Sequence, residues 1–556
     1  MKFLLKVRFP SIILENMFCG VFFVRFFHLF CYKTLYCLFY FLFSALFLIY
    51  YSSCSLSHQN DFKFNEKVIR FAISTEPPTL DPNLATDSVS HLLINNLQCG
   101  LTRFDTERLK PVPCLAESYE YQDGGTKVVF KLKKAFWSDG KPLSAYDFVY
   151  SWRRLLSPET GAEYAYFLYD LVGAYEFNTG KISYFPGVTA ESDDTLVVYL
   201  KKPVVYLPSI VSFMVTFPVR EDIIENCKER WTEVECYPEI GPFVLAEWRH
   251  EYKIVLKPNP YWIGEKPKVE RVELFVVSDA ATALNLYRSN FIYAVGLFPL
   301  AIRKFRNSPE FITNPGLRGF YVGFNVKKRP FDDVHVRRAF AYATNREAVV
   351  RVLGGIQIPA ISWIPPGMIA HNPNIGLPFD PDKAKEELKK SAYPDGKGFP
   401  EVKLFFNHSP ENRKISEVLK ETWRSVLGID VKLESMEWKM FLSTVVNQKP
   451  ELFNLGWGAD FPDPHNFMDL FTSQSGNNHT NFANKRYDEL IILASQELNE
   501  EKRINLYDEA QKILLEEEVA IIPLFWGVSA ILKKPFIKIK FNPLDIIYYD
   551  EIEFIE

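Results

Sequence analysis

The sequence predicts a mixed α/β body folded into more than one lobe. Three observations lead there. Segments with the two-residue hydrophobic period of strands alternate along the chain with segments of helical period. The length, 556 residues with 47% hydrophobic and 15% aromatic side chains, supplies several domains at roughly 150 residues each and excludes a disordered or low-complexity scaffold. No fixed-period repeat or Gly/Ser linker stands out, and the 36 prolines are scattered, as expected of compact lobes joined by several crossings.

The chain opens with an address. Positions 1–50 carry Lys2, Lys6, Arg8, Arg25 and Lys33 against one acid, Glu15, a net +4 that leaves −8 on 51–556. The body is therefore mildly acidic, and nucleic acid is not expected as a partner. No charge occurs over 34–54, and 35–51 reads LYCLFYFLFSALFLIYY, an export signal with its basic residues held in the cytoplasm. Ser52-Ser53-Cys54 resembles the box at which bacterial lipoproteins are cleaved and acylated, with Tyr51 where Leu is usual, so 1–54 is expected to be a lipoprotein signal and Cys54 the lipidation site. An uncleaved anchor helix is the alternative, the stretch being just long enough to span a bilayer. Either reading tethers the body outside the cytoplasm.

Within the body, Val128, Phe130 and Leu132 alternate with lysines as a half-exposed strand, and Leu196, Val198 and Leu200 repeat the pattern after Asp193-Asp194. Ser144 and Asp147 have capping-box spacing at the start of a helix. Asp332-Asp333 opens a helix that Gly354-Gly355 closes, and Asp380-Pro381 caps another over KAKEELKK. Ile415, Val418, Leu419, Thr422 and Val426 keep helical spacing to Gly428. A strand follows in Ile429, Val431 and Leu433, then a short helix near 438–446 and the strand-like run LFNLGWGAD. Two apolar stripes, from Tyr487 to Leu498 and from Ile504 to Leu514, precede the strand VAIIPLFWGVSAIL.

Chemistry is sparsely marked. Cys99, Cys114, Cys227 and Cys236 show neither CxxC nor Cys/His spacing, which gives zinc and thioredoxin-type chemistry no support; Cys227 and Cys236 form either a small disulfide loop or two free thiols. The motifs GxSxG, HExxH, GxxxxGK[ST] and GxGxxG are not found. The dense polar cluster Asp460, Asp463, His465 and Asp469 in GADFPDPHNFMDLF has three readings: a hard-cation or general-base site, a surface turn of solvated acids capping a helix near Asn466, or a ligand-binding segment.

From about Lys67 onward the chain resembles the extracytoplasmic solute-binding proteins of peptide ABC importers, most of all the oligopeptide binders. Eight segments in family order carry the resemblance: FAISTEPPTLDP (71–82), FWSDGKPLSAYDFVYSWRRLLSP (136–158), IGPFVLAEW (240–248), KPNPYW (257–262), RPFDDVHVRRAFAYATNRE (329–347), MEWKMFL (436–442), GWGADFPDPHNF (456–467) and AIIPLF (520–525). It implies a two-lobed periplasmic-binding-protein fold, type II-like, closing around its ligand. Lobe one would comprise 65–316, with an extra subdomain at about 89–194, and the C-terminal return 528–556; lobe two would be 317–527.

By the same resemblance, a short peptide is the ligand, an inner-membrane ABC permease with cytoplasmic ATPases the partner, and a monomer the working form, with no catalytic residue, metal or cofactor. Asp460 falls on the aspartate that receives the peptide α-ammonium, and a buried cation needs such a counterion. Gly456 and Gly458 would let an extended ligand approach the strand backbone, satisfying its amides whatever its side chains. Trp457 and Trp438 match cavity aromatics, Glu76 the first-lobe approach, and Tyr164 and Tyr166 the subdomain wall. Asn412 and Asn454 stand where oligopeptide binders carry basic side chains for the ligand carboxylate, and a third such position falls near Leu353; Arg351 or Arg413 are the nearby substitutes. The alternatives are a dipeptide, nickel, haem or cell-wall-peptide receptor on this scaffold, a sensor or chaperone-like receptor, and an exported hydrolase built on Asp460, Asp463 and His465.

Overall fold

The computed structural model describes residues 67–555. The basic leader, its apolar stretch and Cys54 lie outside the described residues. Among the described residues no helix is long and apolar enough to cross a membrane.

The first sheet joins distant segments. β1 (Val68–Ile73) lies parallel to β10 (Arg271–Val276), which continues antiparallel into β9 (Lys253–Pro258) and β8 (Phe243–Arg249). Between β1 and β8 the chain builds a hairpin of β2 (Thr102–Phe104) and β3 (Pro111–Pro113), and a four-stranded antiparallel sheet in the order β4 (Ala116–Gln122), β5 (Lys127–Leu132), β7 (Thr195–Tyr199), β6 (Val188–Ser192). The register sets Val128 opposite Val198 and Phe130 opposite Leu196, all four buried, as their alternation requires. The helix Ala145–Leu156 starts at the Ser144/Asp147 capping box and buries Phe148, Trp152 and Leu155. Each such large side chain removed from water contributes about 1.5–3 kcal/mol.

The largest sheet runs β11 (Ala294–Gly296), β17 (Ile521–Lys533), β12 (Phe311–Phe324), β16 (Leu452–Gly458), β14 (Lys403–Asn407), β15 (Lys432–Met436), with β13 (Ile358–Pro359) added on β17. Two of its strands are long enough to serve two cores. Phe311–Pro315 of β12 pair with Leu532–Val528 of β17, the register then shifts, and Gly319–Gly323 pair with Trp526–Ile521. Beside the first stretch, Leu532 packs with Ala283, Tyr287, Ile292 and Val295. Along the second, Val322 and Leu524 belong to a different core with Trp423 and Phe340.

Several helices keep their expected caps. Asp380 accepts from Lys383 N ahead of Pro381–Lys390, and Gly428 ends Pro410–Leu427 in the left-handed conformation. The single helix expected over 332–355 is two, Val334–Tyr342 and Arg346–Val352. Thr344 turns its hydroxyl back onto Phe340 O and Asn345 caps the second helix through Ala348 N, which breaks the first. The strand expected from Ile429 begins at Lys432, though Ile429 and Val431 are buried before it. Leu498, assigned to an apolar stripe, lies past the helix Lys485–Gln496 and is exposed. The structure pairs Cys227 with Cys236 and also Cys99 with Cys114, fifteen residues apart, a bridge that the spacing did not suggest.

Candidate functional site

β16 is the centre of the site. On one side it pairs with β12 along its whole length, from Leu452 opposite Phe324 to Gly458 opposite Arg318. On the other side β14 pairs only with Leu452 and Phe453. From Asn454 to Gly458 that edge has no strand partner among the described residues, and the chain then runs on to Asp460. Gly456 sits against the Phe320 ring, which a Cβ would meet at 2.8 Å; at Gly458 a Cβ would meet only Arg318 Cγ, at 3.5 Å. Asn454 is buried opposite Val322.

Asp460 is held by the segment that follows it. The side-chain carbonyl of Asn466 accepts from both the Asp460 backbone N–H (3.2 Å) and the Trp457 indole N–H (2.9 Å), and its amide donates to Asp460 Oδ2 at 3.3 Å. That amide is the only hydrogen bond to the carboxylate among the described residues, and no cation pairs with it. Burial pushes the Asp460 carboxyl up to about 6, opposed only by the Asn466 amide. Trp457 packs on the core of Tyr321 and Trp363, so its ring supports the site from beneath while its N–H orients Asn466.

The helical turn Glu163–Leu168 approaches the same carboxylate. Burial, and then the Asp460 charge, push the Tyr164 hydroxyl up to about 12 and raise Tyr166 further, which puts both tyrosines within electrostatic reach of the carboxylate. Phe167 meets Phe461 edge-on at 6.1 Å, and Tyr206 stacks on Phe461 and His465 at 5.6 and 4.6 Å. These rings join the Asp460 loop to the Glu163–Leu168 turn and to Tyr206.

The remaining members of the polar cluster do not converge with Asp460. Asp463 is buried and clasped by Arg503, and its Oδ1 also caps His465 N at 2.9 Å, so this acid is an internal ion-pair member and not the solvated turn residue of the second reading. His465 is stacked under Tyr206. Asp463 is thus taken up by Arg503 and by the His465 backbone, and the His465 ring by Tyr206.

Other expected positions have partners of their own. Glu76 Oε1 accepts from the Trp248 indole and pairs with His250 Nδ1, both at 2.6 Å, and its Oε2 accepts from Glu251 N at 3.0 Å. These long-range partners tie the loop after β1 to the β8–β9 hairpin, and no sequence spacing announces them. Trp438 begins the helix Trp438–Ser443, is half exposed, and contacts Phe441.

A cavity of about 810 Å³ lies between the first sheet and the β12–β17 face. Ile73, Val277 and Leu297 line one side; Phe320, Phe525 and Ile415 line the other. Asn412 and Leu353 also border it, and the Asn412 amide donates to Asn407. The proposed cationic substitutes do not: Arg413 is exposed and pairs with Glu417 at 3.7 Å, and Arg351 is exposed at a helix end. Arg318, which sequence reasoning missed, does border the cavity.

Comparison with known proteins fixes the class. The family model described as bacterial extracellular solute-binding proteins, family 5 (middle) matches residues 110–479. The chain belongs to this family, and its fold is the two-lobed α/β periplasmic-binding-protein fold. It is similar to the oligopeptide-binding protein OppA of Bacillus subtilis, 31% identical over 473 residues that span 82% of this chain and 86% of that protein. Against the periplasmic oligopeptide-binding protein OppA of Salmonella typhimurium it is 31% identical over 503 residues, 87% and 91% of the two chains. Among solved structures, the murein tripeptide binding protein MppA in its unliganded open form superposes with a TM-score of 0.78 at 28% identity, covering 88% of this chain and 98% of the other. OppA of Haemophilus influenzae in complex with RPPGFSPFR gives 0.71 at 28% identity, with 88% and 99% covered.

Proposed function

We propose that the protein is the extracytoplasmic receptor of an ABC importer, capturing short peptides and delivering them unaltered to a membrane permease. The observation that carries this reading is the unpaired edge of β16 from Asn454 to Gly458, ending at a desolvated carboxylate that has no cation of its own. An extended peptide added to that edge meets its backbone groups with strand hydrogen bonds, while its α-ammonium neutralises Asp460. Tyr164 and Tyr166 cover the amino end from the subdomain.

Lobe one in this reading is 65–316 with 528–556, its subdomain at about 89–194, and lobe two is 317–527. β12 and β17 are the hinge strands, bending near the register shift between Pro315 and Gly319. Two disulfides in the described body suit an oxidising compartment, in keeping with export and tethering through the N-terminal segment. The receptor acts as a monomer.

Mass spectrometry of ligand released from purified protein, followed by calorimetry with the identified compound, tests the reading. Peptides with free amino termini, recovered intact after prolonged incubation, are the expected result. Recovery of non-peptide ligands alone, or of cleaved peptides, overturns it.

A further inference from the structure

The loop that carries Asp460 is fastened close to the hinge strands. Ala459 N donates to Leu317 O at 2.8 Å, and Leu317 N donates to Pro543 O at 2.8 Å. Leu317 lies within the stretch of β12 where the register against β17 shifts, between Pro315 and Gly319. Asp460 is therefore one residue away from a backbone bond to the bend itself.

A second set of contacts reaches the same loop from the chain that follows β7 and from the turn between β2 and β3. Val205 N donates to Ser495 O at 3.3 Å. Tyr206, 5% exposed, lays its ring on Phe461 and His465 and donates its hydroxyl to Asp170 Oδ2 at 3.0 Å. Leu109, also buried, packs in the core of Tyr321, Phe467 and Tyr487, and beside it Lys110 Nζ pairs with Glu500 Oε2 at 3.8 Å. Elsewhere the walls of the cleft stand apart: Ile73, Val277 and Leu297 face Phe320, Phe525 and Ile415 across the 810 Å³ cavity. The structure superposes better on the unliganded open form of MppA (TM-score 0.78) than on the peptide complex of OppA (0.71), so the contacts around Tyr206 are made with the cleft open.

We propose that these contacts are a fixed pivot: the lobes turn about the edge marked by Leu317, Phe461, Tyr206 and Leu109, and the cleft closes across the cavity. This rests on the peptide reading above and adds the order of events. In a rigid rotation displacement grows with distance from the axis, so packed contacts on the axis keep their partners while the cavity walls approach one another. The pocket of Asp460, Tyr164 and Tyr166 is then assembled before the ligand arrives. The α-ammonium docks first, in a site that needs no rearrangement, and the rest of the peptide is enclosed afterwards. Tyr206 is a positioning residue in this scheme, acting through Phe461 and His465 on the loop that presents Asp460.

Locking the pivot tests it. Lys110→Cys with Glu500→Cys, joined in the full chain by a short bis-maleimide, fixes the two sides together; peptide mapping confirms the link, and the native chain treated alike controls for Cys19, Cys31, Cys37 and Cys54. The linked variant should bind tetra-alanine within about twofold of the unlinked one in calorimetry, and X-ray scattering should show the same contraction on binding in both. A loss of about tenfold or more on linking, or a linked protein that no longer contracts, overturns the pivot. Tyr206→Ala should weaken tetra-alanine about tenfold, while Tyr206→Phe, which keeps the ring and gives up the Asp170 bond, should bind within about twofold of native. Native affinity in Tyr206→Ala, or no rescue by Tyr206→Phe, likewise overturns it. If the cysteine variant does not fold, as judged by its thermal melt, the two Tyr206 variants decide alone. Absence of tetra-alanine binding to the folded native protein overturns the peptide reading itself, and this inference with it.

Discussion

Arg503 grips Asp463 through both terminal nitrogens, at 2.8 and 2.7 Å, in a pair whose side chains are 7% and 10% exposed. Three residues earlier, Asp460 pairs with no cation among the described residues. Two acids of one short segment thus divide into an internal brace and, in the peptide reading, a carboxylate left for the ligand, and experiment can separate the two roles.

Removing Asp460 should cost binding and not folding. Loss of one member of a buried ion pair is worth about 3–5 kcal/mol, hundredfold or more in affinity. Asp460→Ala should therefore weaken a free-amino peptide by at least about tenfold in calorimetry, with an unchanged or slightly raised melting temperature. Unchanged affinity would remove Asp460 from the site.

Arg503→Met should do the reverse. It strands Asp463 in the interior and also removes the bond from Arg503 Nε to Ala494 O. Stability in urea should fall by about 3–5 kcal/mol, with peptide affinity near native wherever the protein stays folded. A native denaturation midpoint would contradict the brace.

The pH dependence of binding follows from the raised Asp460 carboxyl. An unperturbed aspartate titrates at 3.8 and this one at about 6. Between those values the unliganded folded chain holds a proton that the unfolded chain has released, so the contribution of Asp460 favours folding at low pH and is lost as pH rises to about 6. Binding of an ammonium requires the ionised form. Affinity for a free-amino peptide should fall about tenfold per pH unit below about 6, stay level to about 7.5 and fall again as the peptide's α-ammonium loses its proton, while an N-acetylated peptide shows neither slope. A flat profile for both peptides would refute the linkage.

The two strand glycines should respond differently. Gly458→Val meets Arg318 only at ordinary contact distance, so it should fold normally and weaken peptide binding about tenfold by covering the backbone. Gly456→Ala presses on the Phe320 ring and should cost about 1–3 kcal/mol of stability. Thermal melts read beside calorimetry distinguish them; a Gly458→Val variant that binds like the native protein would show that the ligand does not lie there.

What could be read from the sequence was local. Ser144, Asp380 and Gly428 announce helix ends because a cap is a matter of neighbouring residues, and the β16 run was visible in its composition. The break at Asn345 was not, since Thr344 and Asn345 are as common inside a helix pattern as at its end. Asp460 was reached through the family resemblance, but Asn466, which orients it, was seen only as a cap. The surroundings of Glu76 and Arg318 were not legible for one reason: their partners, Trp248 and His250 for one, Ser529 and Asp545 for the other, lie more than 170 positions away. Charge and size are written in the chain, but contacts across it are made by the fold.

The half-paired strand at the heart of the cleft also sets the width of its guest. Five residues of open ladder, fenced by the Glu163–Leu168 turn, admit one slender chain and no second sheet. In the peptide reading, an edge that would elsewhere invite a protein to stick to its neighbours takes up a single extended chain instead.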